Sequence, residues 1–182
     1  PLKRSDCSPV SDGAAAIVLK LASQALDAAQ AVKITATAHV NDYLPMSRRD
    51  MSQLEGCKRA WQMALTDAGW SIWDLDLVET HDCFTIAELM QYEAMGLTLP
   101  GEGYKALEQG IVYRDGRLPV NVSGGLKSKG HPIGASGVSM HIMAVQQLTG
   151  QAGDMQLANA TRAGVFNMGG TGVANYVTLL EK

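Results

Sequence analysis

The sequence predicts an α/β fold, a mixed five-stranded sheet with helices on both faces. Three observations predict it. From Lys33 onward, short apolar runs alternate with segments of helical period, in the order strand, helix, strand, helix, strand, helix, strand, strand, and such alternation implies a largely parallel sheet. The last two strands are separated only by Gly169-Gly170-Thr171-Gly172, a tight turn that makes that pair antiparallel. The 182 residues are 46% apolar and 18% charged, enough for a domain with a packed core.

The elements follow in order. Ala14-Ala15-Ala16-Ile17-Val18-Leu19 reads as a buried strand introduced by the turn residues Ser11-Asp12-Gly13. An Ala-rich helix covers residues 22–31. This first pair has no obvious partner further along and resembles the tail of a different sheet, so the chain divides into 1–32 and 33–182. Residues 34–40 alternate as a strand does. Asp50 is a candidate cap for a helix over 50–68, which places Leu54, Cys57, Trp61, Ala64, Leu65 and Ala68 on one face and ends at Gly69. A strand is predicted over 75–80, helices over 85–95 and 103–110, and a strand over 118–122 running into a glycine-rich loop. A helix over 134–148 and strands over 163–168 and 174–180 complete the chain.

Composition excludes several functions. Net charge is −3 with no run of Lys or Arg, which argues against nucleic acid or an anionic membrane surface as partner. No apolar stretch approaches the roughly 20 residues of a membrane span, and no signal-peptide pattern opens the chain. A start at Pro1 points to a processed or truncated chain. The cysteines, Cys7, Cys57 and Cys83, are odd in number and widely spaced. Reduced thiols in a cytoplasmic compartment fit that pattern better than a disulfide framework. Gly124-Gly125-Leu126-Lys127-Ser128 lacks phosphate-loop spacing, and no G-x-G-x-x-G follows a strand. Neither a C-x-x-C nor an H-x-x-x-H pair supports a metal site.

In parallel sheets ligands collect beyond the C-terminal strand ends. Three stretches fall there: residues 79–84, the loop 124–137, and residues 166–170. In the loop, Pro132 disfavours helical geometry at His131 and suits the first turn of the next helix. Gly130 keeps bulk away from the imidazole. A ring at a helix N-terminus is held neutral, able to donate to a developing oxyanion or to accept from a thiol; the plainer reading is a histidine that fills a turn. His81 and Cys83 point the same way if the strand continues, whereas a turn into a helix at Asp82 places Cys83 where a thiolate is stabilised. The plainer reading there is a small buried hydrophobe beside a solvated histidine. Gly169 and Gly170 either present amides to an anion or simply make a hairpin turn.

Taken together, His-Asp-Cys-Phe (81–84), Gly-Gly-x-x-x-x-Gly-His-Pro-x-Gly-Ala-Ser-Gly (124–137) and Asn-x-Gly-Gly (167–170) resemble the thiolase superfamily. The likeness is greatest to thiolases of the sterol carrier protein type, and it runs from Ser11 to the C-terminus. It implies a thiolase-like half and a parent enzyme that acts on acyl-CoA thioesters in the manner of an acetyl-CoA acetyltransferase. In such enzymes a cysteine of the first half attacks the thioester, and coenzyme A is a substrate rather than a resident cofactor. His131 matches the histidine that polarises the nucleophile and helps bind the thioester oxygen. His81 matches an asparagine that organises an oxyanion hole, and Gly169 matches a glycine whose amide faces the acyl-enzyme oxyanion.

Two departures accompany the resemblance. The cysteine two residues before that glycine, usually the acid/base, is Asn167, so Cys83 is the candidate in its place. The half carrying the nucleophile and most of the coenzyme-binding loop is missing, so the chain is expected to be inactive alone. Its expected partners are acyl-CoA or CoA, the missing N-terminal half and further copies of itself. The alternatives are a non-catalytic subunit that binds acyl-CoA or scaffolds a partner, and a retro-aldol lyase of CoA-linked side chains.

Overall fold

The computed structural model of the chain describes residues 2–25 and 30–182. Four strands form one sheet: β1 (Lys33–Asn41), β2 (Leu77–Glu79), β3 (Arg162–Gly169) and β4 (Ala174–Glu181), in the spatial order β1-β4-β3-β2. The β3–β4 hairpin is antiparallel through the turn at Gly170, Thr171 and Gly172, all at positive φ, and β2 lies parallel to β3. The sheet is therefore mixed. It is not largely parallel: β4 returns between β3 and β1, so β1 meets a strand running against it.

The expected fifth strand, 118–122, does not form a ladder, which leaves four. Its one bridge joins Val120 to Val78. The Val78 amide donates to the Pro119 carbonyl at 2.9 Å, and the Asn121 amide donates to the Val78 carbonyl at 2.8 Å. On the other side the Leu118 and Val120 amides donate to Ile111 and Val112 at 2.9 and 3.0 Å. The run thus divides its hydrogen bonds between two neighbours. Asn121, at φ 52, then turns the chain away, and Pro119 has no amide to extend a ladder.

The first elements also differ from expectation. Residues 14–19 pair with no described residue, and Val18 is 85% exposed rather than buried. The helix expected over 22–31 is seen as α1 (Ala22–Ala25); the part at 26–29 lies outside the described residues. The next helix, α2 (Glu55–Ala68), starts five residues after Asp50, whose carboxylate instead binds Ser52 and Gln53 in a local turn. Gly69 closes α2 at φ 69, where only glycine is unstrained. The remaining helices are α3 (Thr85–Ala94), α4 (Lys105–Glu108), α5 (Gly125–Lys129) and α6 (Ser136–Leu148). Among the described residues none is long and apolar enough to cross a membrane.

Helices cover both faces because the strands alternate. Trp61, Ala60, Cys57 and Ala64 of α2 pack with Ala36, Ala38, Val40, Phe166, Val177 and Leu179. Met140, Ala144 and Leu148 of α6 pack with the intervening residues Ala163, Val165, Leu180 and Leu77. The period of two along β3 sends Ala163 and Val165 to one cluster and Phe166 to the other. Gly164 sits on the α2 side, under the Trp61 ring. A Cβ there would stand 2.6 Å from the indole and 3.0 Å from Leu75 Cδ1.

Gly164→Ala is expected to destabilise the fold by about 1–3 kcal/mol through overpacking, read as a lower urea midpoint. An unchanged midpoint would show that the indole has room to move.

Candidate functional site

The parallel register of β2 and β3 builds the site. It pairs Glu79 with Val165, so two residues further on His81 comes beside Asn167, with Nδ1 2.6 Å from the amide Oδ1. His81 is 5% exposed. Its main chain is gripped by Gln91 of α3, which accepts from the His81 amide at 3.1 Å and donates to its carbonyl at 2.7 Å. Burial lowers the His81 pKa and outweighs the Asn167 hydrogen bond.

The glycine-rich stretch contains α5, a helix of five residues, too short to be stable alone. Asp82 holds its start, accepting from the Leu126 amide at 2.6 Å and the Lys127 amide at 3.3 Å. Gly125 has φ 63, and a Cβ there would fall on the Asp82 carboxylate. Glu79, almost wholly buried, holds the other end. It pairs with Lys129 at 3.4 Å and accepts from the Ser123 hydroxyl at 2.6 Å, while Lys129 also donates to Ser123 at 2.7 Å. Burial raises the Glu79 carboxyl, with Lys129 opposing it.

His131 follows directly. Its ring meets His81 edge to face, centroids 4.9 Å apart at 88°. Its Nδ1 is 2.7 Å from Ser136 Oγ, whose own proton goes to the Pro132 carbonyl at 3.1 Å. With the hydroxyl proton on that carbonyl, Nδ1 is the donor, and a neutral ring then carries its lone pair on Nε2. The next helix begins at Ser136, not at Pro132, so His131 reaches it only through that hydroxyl. The bulk that Gly130 spares is also not beside the imidazole. At φ 92, a Cβ there would stand 2.5 Å from Ser11 Oγ, the atom that accepts the His131 amide at 3.3 Å.

Cys83 lies one residue past Asp82. β2 has ended at Glu79 and α3 begins at Thr85, so Cys83 is on neither element. Its side chain packs against the cluster that holds Leu77 and Leu126. Burial pushes the thiol up rather than stabilising a thiolate, and the Phe84 amide opposes this only in part. Gly169 ends β3 with exposed main chain and open space where a Cβ would be. Residues near the N-terminus complete the wall. The Ser8 amide donates to the Cys83 carbonyl at 2.9 Å, and Lys127 Nζ donates to the carbonyls of Ser5 and Cys7. A cleft of about 410 Å³, lined by Ser8, Pro9, Ser11, Gly13, His131 and Ile133 among others, opens beside His131. That volume falls within the roughly 300–1,000 Å³ of small-molecule sites.

The structure thus brings His81 against His131, with Cys83 on the turn after His81 and Gly169 two residues beyond Asn167. Sequence reasoning missed Glu79, Asp82, Lys129, Gln91 and Ser136 as parts of the site. Ser136 lies only five residues past His131, yet nothing in the sequence marks its hydroxyl as the partner of that ring. Asp82 stands within His-Asp-Cys-Phe and Glu79 opens the same strand-end stretch, but nothing in those strings marks either carboxylate as a clamp on α5.

The chain matches the family described as thiolase C-terminal domain-like over residues 36–182. It is 41% identical over 174 residues to the acetyl-CoA acetyltransferase of Methanothermobacter thermautotrophicus, covering 94% of this chain and 45% of that protein. It is 39% identical over 185 residues to sterol carrier protein 2 of Bos taurus, covering 96% of this chain and 33% of that one. The chain therefore spans less than half the length of these relatives. A solved structure titled Ltp2-ChsH2(DUF35) aldolase shares the fold, with a TM-score of 0.74, 22% identity, and 82% of this chain against 39% of that one covered.

Asp82→Ala leaves the Leu126 and Lys127 amides without their acceptor. A stability loss of about 1–3 kcal/mol is expected, with faster hydrogen exchange at the Leu126 amide; unchanged exchange would mean α5 is held otherwise. His81 gives a pH dependence. Its pKa is lowered in the folded state, so below the ordinary value of about 6.5 the unfolded chain binds a proton that the folded chain refuses. Stability is expected to fall as pH drops below that value, and less steeply in His81→Asn. Parallel urea-midpoint curves for the two proteins would contradict this.

Proposed function

The chain belongs to the thiolase superfamily, whose C-terminal domain it carries, and on that premise we propose that it supplies the histidine side of an active site for acyl-CoA thioesters. One observation carries the reading: the edge-to-face pair of His81 and His131, from separate loops, beside a cleft. Relatives named acetyl-CoA acetyltransferase and sterol carrier protein 2 support the substrate class.

In this reading a cysteine outside residues 1–182 attacks the thioester carbonyl. His131 prepares it: Ser136 holds Nδ1, so Nε2 takes the thiol proton, and the resulting imidazolium donates to the thioester oxygen. The acyl group becomes bonded to that cysteine as the bond to the coenzyme A sulfur breaks, and the departing sulfur takes up a proton. Cys83 is the residue for that transfer. Burial raises its thiol, which keeps it protonated and ready to act as the acid. The Asn167 amide does not ionise and so cannot act as an acid or base, and the work does not fall there. The exposed Gly169 main chain offers an amide to the acyl-enzyme oxyanion. Coenzyme A enters as substrate, and further copies of the chain and a second thiolase half are its partners.

The experiment is His131→Ala in the complete protein, assayed by thiolysis of an acyl-CoA. A fall in kcat of about 10²–10⁴, the usual worth of a general acid–base group, is expected with KM little changed. Near-normal turnover would remove His131 from the mechanism. Carbon–carbon cleavage without an acyl-enzyme would favour a retro-aldol lyase instead.

A further inference from the structure

Lys127 makes two contacts that the proposed mechanism does not use. Its Nζ donates to the carbonyls of Ser5 and Cys7, the latter at 2.8 Å. It forms no ion pair among the described residues, and those two carbonyls are the acceptors its ammonium has. Lys127 and Lys129 stand two apart on α5 and so point to different sides. Lys129 reaches Glu79 and Ser123, whereas Lys127 reaches the N-terminal segment. That segment lies across both histidine-bearing loops. Cys7 bridges Phe84, and the Ser8 amide donates to the Cys83 carbonyl at 2.9 Å, just past His81. Ser11 Oγ accepts the His131 amide at 3.3 Å, and a Cβ on Gly13 would stand 2.9 Å from Pro132 Cγ. Residues 8–13 and 131–133 line the cleft of about 410 Å³. Both stretches are tied to α5. The histidine loop leaves it through Gly130, and residues 5–7, which lead into 8–13, hang from it by the Lys127 ammonium. A five-residue helix whose start is gripped by Asp82 thus sets where both stand.

We propose that Lys127 is a positioning residue for the cleft beside His131: its ammonium anchors residues 5–7 to α5 and so fixes the spacing between the wall at 8–13 and the histidine loop. An ammonium suits the task, since it carries three donors and needs no fixed plane to serve two carbonyls. A looser wall costs binding rather than chemistry, because Lys127 has no part in the proton transfers. That the cleft receives an acyl-CoA rests on the thioester reading; that Lys127 holds its wall does not.

The test is amide hydrogen exchange of the protein without acyl-CoA, followed at Ser8 and His131, with Val78 inside the sheet as the reference. In Lys127→Met, which keeps the stem and loses the donors, the Ser8 and His131 amides are expected to exchange about tenfold faster, the worth of one hydrogen bond to a charged group. Val78 is expected to keep its rate. Lys127→Arg, which retains the charge and several donors, is expected to restore the wild-type pattern. Exchange in Lys127→Met identical to the wild type overturns the proposal, and so does equal acceleration at Val78, which marks general destabilisation. If the methionine variant does not fold, acetylation of the wild type decides. Lys127 is expected to react several-fold more slowly than the exposed Lys58, and equal rates overturn the proposal. In the complete protein, Lys127→Met is expected to raise KM for an acyl-CoA several-fold and to change kcat less. An unchanged KM alongside the expected exchange would count against the thioester reading of the cleft alone.

Discussion

The parallel pairing of Leu77–Glu79 with Ala163–Val165 is the constraint on which the site depends. It is short, yet it places the C-terminal ends of two strands side by side, and everything that follows them inherits that register. The bridge from Val78 to Val120 adds a third segment at the same end, and the glycine-rich stretch begins a few residues later. The histidine loop, the asparagine and the short helix meet because one edge of the sheet ends three segments together. The hydrophobic clusters on the two faces keep that edge from sliding: Val78 packs into one, while Leu77, Ala163 and Val165 pack into the other.

From this edge two buried carboxylates reach outward to α5. Burying a carboxylate is costly unless it finds donors. Asp82 finds main-chain amides at the start of the helix, and Glu79 finds the Ser123 hydroxyl just before the helix and the Lys129 ammonium at its end. Glu79 and Asp82 flank His81 in the sequence, so the strand end that presents one imidazole also grips the helix that delivers the other. The spacing of the two rings is therefore a property of this clamp and not of contact between the rings alone. Glycines at 125 and 130 let the clamp close, since side chains there would meet Asp82 and Ser11.

Much of the fold was legible in the sequence. The faces of α2, its end at Gly69, the antiparallel closing hairpin and the helix after the Gly-His-Pro loop all follow from period and turn chemistry, and the structure has them. The failures are instructive. Asp50 is a good capping residue, but nearby Ser52 and Gln53 compete for the same carboxylate, and local composition does not say which partner wins. Residues 118–122 have the apolar character of a strand, but a ladder needs continuous neighbours on one side, and this run has Val78 on one flank and Ile111 and Val112 on the other. Residues 14–19 have strand character with no described strand beside them, and their apolar side chains stay exposed.

By itself the sequence determined most element types, residues 14–19 and 118–122 excepted, and the three strand-end loops with the chemical groups they carry, because those depend on periodicity and on residue identity over short distances. It also carried the family motifs, which are local strings. Only the tertiary structure decided which neighbours each group meets: the amide of Asn167 against His81, the hydroxyl of Ser136 behind His131, and the carboxylates around α5. Those contacts join residues up to 86 positions apart. Their energies come from burial and from the absence of competing water, conditions that exist only once the sheet has closed and that no local pattern records.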